Sequence, residues 1–509
     1  EEWMLEDSFE VGKPVEITFD SSTPQPEFNS QLREEQREVF TGEIAAIDAH
    51  FTERTQAPIV IRCYDNSQRL HRGRFSRSFL NMTDSDVVKK IAGEIGIELG
   101  TIDESGEPHD YLFQQNQTNM AFLRQRAELI GFELFYKNNQ LHFRKPAPGE
   151  TLGLRWLREL NSFRARVTSA EQVDEVEVRG WDYMLKEPIV VMAKSEKVVT
   201  ETKNGTGSET STKFEGMPPP RMIVVDKPTF SEREAEAIAQ SVCDELGGQF
   251  VTADAKAEGN PDIRPGQVVS LEDMGPHTGK YYVTEARHIY AERLYTTEFS
   301  VRGLRSGDLL NTLSPQPRLL PGQTSLVGIV TDNEDPESIG RVKVMFPTLT
   351  EEHTSHWARV VNIGGGPDRG FDCLPEIDDE VLVSFEHGDI RRPYVLGGVW
   401  NGPDKPPNPV DKDVQGGKVR LRTFQTRTGH KLQFVEEDLD TKAGVYIETS
   451  GGHKMQLNDS EKFVEIKTNG GHTLRLSDAD GSITMSSTGN IDIKANGTIS
   501  LQGALIKLN

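Results

Sequence analysis

Three histidines share the same local sequence in the last hundred residues of the chain. Each follows a glycine and stands before two apolar residues separated by one position: His430 before Leu432/Phe434, His453 before Met455/Leu457 and His472 before Leu474/Leu476. Imidazole nitrogens bind transition metals, so copies brought together by symmetry could form an axial metal or anion site. Alternation along a strand predicts that each histidine points to the side of its apolar pair, toward the interior of an assembly. A histidine packed beside its glycine turn is the alternative, and we favour that metal-free interpretation.

Paired carboxylates, which acid–base hydrolysis would require, occur at Asp378/Asp379 and Glu436/Glu437. Both pairs stand between strand-forming and turn-forming residues, without a pattern that would desolvate them. A general acid needs a desolvated carboxylate, so we interpret both pairs as solvated surface residues.

Two further patterns resemble binding motifs only in part. His353 and His356 have the H-x-x-H spacing of a metal pair, but the surrounding residues predict a loop that enters a strand rather than a helix. The glycines at 364–366 lack the lysine and the strand-to-helix context of a phosphate loop. The sequence therefore predicts no catalytic, cofactor-binding or metal-binding residues.

The composition limits the classes of partner. The chain has 509 residues with 57 Lys+Arg and 80 Asp+Glu, so its net charge is 57 − 80 = −23. This charge disfavours nucleic acid and anionic membrane surfaces as primary partners. No apolar run approaches the length of a transmembrane helix, and residues 1–20 do not resemble a signal peptide. Cys63, Cys243 and Cys373 lie too far apart for a disulfide framework, which indicates synthesis in a reducing cytoplasm.

Residues 1–310 mix strands with three helices. Capping residues and helical spacing predict helices from about 83 to 94, from 118 to 130 and from 231 to 248. Asn138-Asn139 predicts a hairpin turn between two alternating segments. Residues 193–220, rich in Lys, Glu, Thr, Gly and Pro, are predicted to form a long exposed loop.

Two Pro-rich segments, 311–323 and 403–420, are predicted linkers. Residues 324–402 between them contain five short strands with glycine-marked turns, the size of a Greek-key barrel such as an OB-fold. This segment carries 14 acids against 6 Lys plus Arg, which argues against nucleic-acid binding by such a barrel.

Residues 421–509 repeat an apolar pair followed by a turn, and from Met455 the pairs are 9, 10, 9, 8, 8 and 7 residues apart. Eight residues are too few for one coil of a single-chain solenoid, so we expect the strands to find their neighbours in other copies. Three chains wound about one axis satisfy this need; an ordinary antiparallel meander is the alternative. The residues predicted to face the axis include Met455, Leu457, Val464, Ile466, Leu474, Leu476, Ile491 and Ile493.

Long stretches of the chain resemble one family. The OB-like region contains LVGIVTDNEDPESIGRVKVMFP (326–347), HWARVV (356–361) and PEIDDEVLVSFEHGDIRRPYVLGGVWNG (375–402), and these are similar to the OB-fold of VgrG and phage baseplate spike proteins. Residues 118–146 and 261–290 resemble the late-control D hub module of the same family. The TDNEDPESIGRVKVMFP segment and the short repeat differ from type VI members, and they favour a phage-like or extracellular contractile injection system.

This resemblance implies a mainly β fold with some α structure. Hub β-barrels with helices are expected at 1–310, a linker at 311–323, a Greek-key OB-fold at 324–402, a linker at 403–420 and a triple-stranded β-helix formed by a trimer at 421–509. The implied function is a non-enzymatic hub and spike at the tip of a contractile injection system. Assembly in the bacterial cytoplasm, then incorporation into a phage tail-like particle, is the implied localisation.

The resemblance also implies the partners. The expected set is two further copies of the chain, a tail tube or tube-initiator protein and baseplate proteins at the hub, a PAAR-like tip protein at the needle end around Ile506 and Leu508, and transient contact with a target membrane. Two other functions are alternatives to this one. A trimeric polysaccharide-degrading tailspike would need wide coils and a carboxylate groove, and an OB-fold nucleic-acid binder is opposed by the charge.

Overall fold

The computed structural model describes residues 9–21, 37–51, 59–229, 231–303 and 323–507. The chain divides into two compact units, one of Glu1–Asp182 with Glu187–Val399, the other of Tyr183–Lys186 with Trp400–Asn509. Most of the predicted linker at 311–323 lies outside the described residues, as does Leu508. None of the helices in the described part of the chain is long and apolar enough to cross a membrane.

Within the described residues, the first unit contains four α-helices and most of the strands. The helices are α1 (Asp84–Ile95), α2 (Asn119–Leu129), α3 (Gly207–Ser211) and α4 (Glu232–Gly248). The strands up to residue 303 are β1 (Pro14–Phe19), β2 (Arg37–Ala49), β3 (Ile59–Tyr64), β4 (Phe75–Met82), β5 (Leu99–Ile102), β6 (His109–Gln117), β7 (Glu133–Lys137), β8 (Gln140–Arg144), β9 (Thr151–Arg155), β10 (Leu160–Val167), β11 (Glu175–Asp182), β12 (Glu187–Ala193), β13 (Glu201–Thr202), β14 (Arg221–Val224), β15 (Val251–Glu258), β16 (Val268–Glu272), β17 (Gly279–Tyr282), β18 (Glu285–Ala291) and β19 (Leu294–Val301).

The three predicted helices are confirmed, because their end signals are local. Thr83 accepts a hydrogen bond from the Asp86 N–H and the Asp86 side chain bonds back to Thr83, so α1 begins with a capping box. Gly96, in the left-handed conformation, ends the helix. Thr118 and Ser231 cap α2 and α4 with their hydroxyl groups, which accept from the N–H groups of Ala121 and Glu234.

The hairpin between β7 and β8 is also confirmed. Asn138 and Asn139 have φ of 50° and 59°, the left-handed pair that a tight two-residue turn requires and that asparagine tolerates. The turn pairs Lys137 with Gln140 and brings β8 beside β5. Behind these strands, α1 and α2 bury a cluster that includes Leu70, Phe79, Val87, Ile91 and Phe143.

Two four-stranded sheets share a second core in this unit. Their strand orders are β10-β15-β19-β18 and β13-β17-β16-β9. Side chains from both sheets, including Leu160, Val269, Tyr281 and Phe299, pack in one hydrophobic cluster. Over the described residues both sheets are open, so this part of the hub is a layered pair of sheets where closed barrels were expected.

The segment 193–220 is only in part the long exposed loop that its composition predicted. Residues 212–219 are exposed and carry no helix or strand, whereas 201–202 form a strand and 207–211 a helix. Thr206 and Glu209 form a capping box that starts α3, and the Glu196 carboxylate accepts hydrogen bonds from the N–H groups of Gly207 and Ser208. The short strand β13 pairs with β17. Buried Ser211 shows that this helix packs inward, because local capping and one acidic acceptor compensate for the few apolar residues.

Residues 326–398 form a closed barrel, as the five-strand pattern predicted. Its strands are β20 (Leu326–Asp332), β21 (Arg341–Met345), β22 (Ala358–Val360), β23 (Glu380–Phe385) and β24 (Pro393–Gly398), in the order β20-β21-β22-β24-β23. The alternating valines of these strands fill the barrel, and Val330, Val342, Val344, Val381, Val383 and Val395 are fully buried.

The second unit is a sheet preceded by short elements. The segment predicted as a linker at 403–420 contains the helix α5 (Val410–Asp413) and a small hairpin of β25 (Val414–Gln415) and β26 (Lys418–Val419). The sheet that follows, called the needle sheet below, consists of β27 (Leu421–Gln425), β28 (Lys431–Val435), β29 (Gly444–Glu448), β30 (Lys454–Asn458), β31 (Phe463–Lys467), β32 (Thr473–Ser477) and β33 (Ser482–Ser486).

The needle sheet corrects one expectation. Its seven strands pair in sequence order, each antiparallel to the next, so each strand between Leu421 and Ser486 finds its neighbours within the chain. The strands were expected to pair only with other copies, and the antiparallel meander left as the alternative describes this region. The physical reason is that the turns are long enough to reverse the chain into hairpins. Residues 487–507 carry no strand.

Candidate functional site

One face of the needle sheet is apolar, with Arg422 as its single charged residue. Cross-strand partners such as Leu457/Val464, Ile466/Leu474 and Leu476/Ile483 stand directly opposite one another, so their side chains lie on the same side. Large side chains of this face are open to solvent, with 45% of Phe434, 47% of Ile466 and 72% of Ile483 exposed. The face consists of Arg422, Phe424, Leu432, Phe434, Val445, Ile447, Met455, Leu457, Val464, Ile466, Leu474, Leu476, Ile483 and Met485.

Six of the eight residues predicted to face a trimer axis lie on this apolar face. Ile491 and Ile493, the other two, belong to the stretch without strands and are 51% and 65% exposed. The parity of the apolar pairs therefore identified the face correctly, because side chains alternate strictly along a strand whichever chain supplies its neighbours.

The opposite face of the needle sheet is mixed. Leu421, Val435 and Tyr446 form a small buried cluster on its first strands, and several of its charged side chains pair with one another. Glu448 accepts ion-pair contacts from Lys454 at 2.8 Å and from Lys431 at 3.5 Å. The hydrogen bond from Lys454 lowers the pKa of Glu448, and this outweighs the effect of its partial burial. Further along the sheet, the Arg475 guanidinium lies 3.8 Å from the centroid of the Phe463 ring and 3.4 Å from Glu465.

The chain itself covers the first strands of the polar face. Asn408 Nδ2 and Gln433 Nε2 both donate to the Thr423 hydroxyl, at 2.7 and 2.8 Å. Arg420, with 1% of its surface exposed, donates to Asp440 at 2.9 Å. The 403–420 segment therefore packs on this face of the sheet and does not cover the apolar face.

The three histidines belong to one repeated turn, Thr-x-x-Gly-His, at 426–430, 449–453 and 468–472. In each turn the first threonine donates its N–H to the histidine carbonyl, and the histidine N–H donates to that threonine hydroxyl at 3.1 to 3.2 Å. The positions of Thr426, Thr449 and Thr468, four residues before each histidine, are the signal in the sequence that would have indicated this turn.

Each of these histidine rings reaches the next turn on the same edge of the sheet. Nδ1 of His430, His453 and His472 accepts a hydrogen bond from a backbone N–H two strands further on, at 3.3, 3.4 and 3.3 Å. The rings therefore lie along the edge of the sheet beside their glycine turns. Their orientation toward the interior of a trimer stays a prediction.

No group of three His, Cys, Asp or Glu side chains in the described ranges is arranged to hold a metal ion. His353 and His356 are exposed in the segment between β21 and β22, which is not helical. Gly366 closes a small turn with Arg369.

The paired carboxylates serve turns and ion pairs. Asp379 accepts a hydrogen bond from the Glu376 N–H at 2.8 Å, and Asp378 has a φ of 71° in the same turn. Glu436 is 2.7 Å from Arg422 and Glu437 is 3.8 Å from Lys418. None of these four carboxylates lines a cavity found among the described residues.

The hub contains a cavity of about 160 Å³ that no pattern in the sequence indicated. Side chains of β2, the β7–β8 hairpin and β18 line it. Burial, with the charges of Arg264 and Arg144, lowers the pKa of Lys137 in its wall. Burial and Arg264 also lower the pKa of His288 to about 4, and His288 Nδ1 lies 2.8 Å from the Tyr295 hydroxyl. Carboxylates of Glu38 and Asp65 line the same cavity, so its wall has no excess of positive charge.

Two family comparisons match successive parts of the chain. Residues 28–292, more than half of the chain, match the family described as the Alg8 N-terminal domain. Residues 326–400, which form the closed barrel, match the family described as the type VI secretion system/phage-baseplate injector OB domain.

Curated relatives agree with these matches. The type VI secretion system spike protein VgrG3 of Vibrio cholerae serotype O1 is 22% identical over 417 residues, which are 73% of this chain and 38% of that protein. The actin cross-linking toxin VgrG1 of Vibrio cholerae serotype O1 is 29% identical over 160 residues, 30% of this chain and 14% of that protein. The chain thus spans well under half the length of these relatives.

A solved structure of a type VI secretion system component from E. coli aligns with a TM-score of 0.36 and 15% identity. The alignment covers 76% of this chain and 94% of that chain.

Proposed function

The chain belongs to the family defined by the Alg8 N-terminal domain, among the VgrG and phage-baseplate spike proteins, and on that premise we propose that it is the trimeric hub and spike of a contractile injection system. Its work is mechanical: it links a tail tube and baseplate to a rigid, membrane-piercing needle. The proposed division is a hub at 1–310, an OB-fold at 324–402 and a needle at 421–509, with connecting segments at 311–323 and 403–420.

The apolar face of the needle sheet carries this proposal. A contiguous, solvent-exposed apolar face on seven strands is unfavourable for a monomer, since each Å² of apolar surface removed from water contributes about 25 cal/mol. Three copies can place their apolar faces inward as the walls of a triangular prism, with the ion-paired polar faces outward. The covering of the polar side by residues 403–420 supports this orientation.

The partners belong to the same proposal. A tail tube or tube-initiator protein and baseplate proteins bind the hub, a PAAR-like protein caps the needle end, and the needle contacts a target membrane in passing. The particle is assembled in the bacterial cytoplasm and acts as a phage tail-like machine. The chain itself is proposed to be non-enzymatic, and the toxin activity in the name of one relative is attributed to that relative alone.

Substitution of neighbouring residues on the two faces tests the trimer. Ile466→Asp places three carboxylates in the shared interior, and uncompensated buried charges cost several kcal/mol. Lys467→Asp, one residue away on the polar face, is the matched control. Sedimentation equilibrium of the full chain should give three times 56.9 kDa for the wild type and Lys467→Asp, and a smaller mass for Ile466→Asp. A monomeric wild type, or a trimeric Ile466→Asp with unchanged melting, would contradict the proposal.

A further inference from the structure

The outer half of the β2–β3 ribbon in the hub has an apolar face of its own. Ala49 stands opposite Ile59 and Ile47 opposite Ile61, so these four side chains lie on one side of the ribbon. Ile47 is 37% exposed and Ile59 43% exposed, whereas Ile44, at the base of the ribbon, is 2% exposed. The stripe of isoleucines therefore starts in the hub and continues onto an open surface.

The same half of the ribbon is open at its edges. In the sheet order β1-β2-β3, β3 is an edge strand. On the other side of β2, the backbone hydrogen bonds to β1 and the residues before it reach Ile44 and, within the described residues, extend no further along the ribbon. Within the described residues, positions 46–49 and 59–62 therefore form a two-stranded ribbon with unpaired strands on both sides. A lone two-stranded ribbon is marginally stable in water, and an open edge of β-branched residues readily pairs with another chain.

The charges on the ribbon favour a second copy of the chain as the occupant. Each copy carries a net charge of −23, so two copies repel one another except where their surfaces lack net charge. The isoleucine face has no charged side chain, and on the other face Arg62 donates to Asp48 at 2.9 Å, so that pair is neutral. In a ring of three copies, each contact joins one surface of a copy to a different surface of the next copy. The ribbon of one copy can therefore contact a different part of its neighbour, and two ribbons need not meet.

We propose that the tip of the β2–β3 ribbon, residues 46–49 and 59–62, packs its isoleucine face against the hub of the neighbouring copy. The inference rests on the proposed trimer. It adds a contact between hubs, far along the sequence from the apolar face of the needle sheet, and it gives a reason for the exposure of Ile47 and Ile59.

A photo-crosslinking amino acid at position 59 of the full chain tests this contact. The control is the same group at Leu294, which is 64% exposed in the β18–β19 turn. Irradiation of the purified protein should link position 59 to another copy, and mass spectrometry should identify the captured peptide as part of this chain. A trimeric mass with no more cross-linking at 59 than at 294 would overturn the ribbon contact while leaving the trimer intact. A monomeric mass would overturn both.

Introducing a charged residue into the isoleucine face of the ribbon tests the same contact independently. Ile47→Glu should abolish cross-linking from a probe at position 61, because a carboxylate would be buried opposite it. Asp48→Asn, which alters the other face, should leave that cross-linking unchanged. Undiminished cross-linking in Ile47→Glu would overturn the proposal, and circular dichroism identifies a variant that has simply unfolded.

Discussion

At the scale of single residues, Asp84 shows how a buried charge is held in the hub. It is 1% exposed at the start of α1, and its carboxylate accepts hydrogen bonds from Arg126 at 2.5 and 3.2 Å and lies 3.1 Å from His109 Nε2. Burial alone would raise the pKa of Asp84, but the hydrogen bonds and charges of His109 and Arg126 outweigh it and lower that pKa. The carboxylate therefore joins α1, α2 and β6 only while it is ionised.

Asp84→Asn should destabilise the hub by about 3–5 kcal/mol, because it leaves Arg126 buried without its anion. The pH dependence has a defined sign. The folded-state pKa is lowered, so the wild type gains stability above the unfolded value of about 3.9 and loses it as pH falls through the folded-state pKa. Denaturant unfolding between pH 7 and pH 3 should show a smaller loss for Asp84→Asn than for the wild type. Asp110→Asn, at an exposed site in β6, should behave as the wild type; equal stability of both variants would contradict the argument.

The histidines of the needle make a second prediction at this scale. In the segment that follows β33, Asn490 occupies the position that His430, His453 and His472 occupy in the three turns. An asparagine amide oxygen can therefore replace histidine Nδ1 as the acceptor of the hydrogen bond from the next turn. His453→Asn should keep the melting temperature, whereas His453→Leu should lower stability by about 1 kcal/mol per chain through loss of one hydrogen bond. Thermal unfolding of the trimer measures both. Elemental analysis of the same samples tests the metal-free interpretation, since a stoichiometric transition metal that is lost in His453→Leu would contradict it.

At the scale of elements, the first turn of α1 depends on its capping box. Thr83→Ala removes the hydroxyl that accepts from the Asp86 N–H and should cost about 1 kcal/mol. Thr83→Ser keeps a hydroxyl at the same place and should be nearly neutral. Urea unfolding of the two variants compares them directly, and equal midpoints would show that the cap contributes nothing.

At the scale of the whole molecule, we expect different parts of the needle to be responsible for trimer formation and for tip binding. Deletion of 499–509 leaves the apolar face of Phe424 to Met485 intact, so the protein should remain trimeric by sedimentation. The same deletion should abolish co-purification with a PAAR-like protein, because it removes the residues around Ile506 and Leu508 that the proposal assigns to tip binding. Undiminished binding would place the tip site elsewhere, and loss of the trimer would show that the last residues hold the chains together.

Signals that act over a few residues were sufficient for much of the fold. The caps of α1, α2 and α4, the Asn138-Asn139 turn, the five barrel strands and the parity of the needle pairs follow from neighbours close in sequence, so they could be predicted. The family motifs added the order of the parts. For the site, the same parity identified which residues form the apolar face before any strand pairing was known.

Long-range contacts decided the rest. Whether Met455 pairs with Ile466 of its own chain or with another copy depends on how the turns close, and alternation is identical in both cases. The Glu196 carboxylate accepts a hydrogen bond at the start of α3 from eleven residues away, and the His453 ring accepts one from a residue sixteen positions ahead. Nothing in the composition of Ile47, Ile59 and Ile61 shows that their face lies open. Burial is a property of the assembled chain, because it depends on which surfaces meet, and only the tertiary structure specifies that.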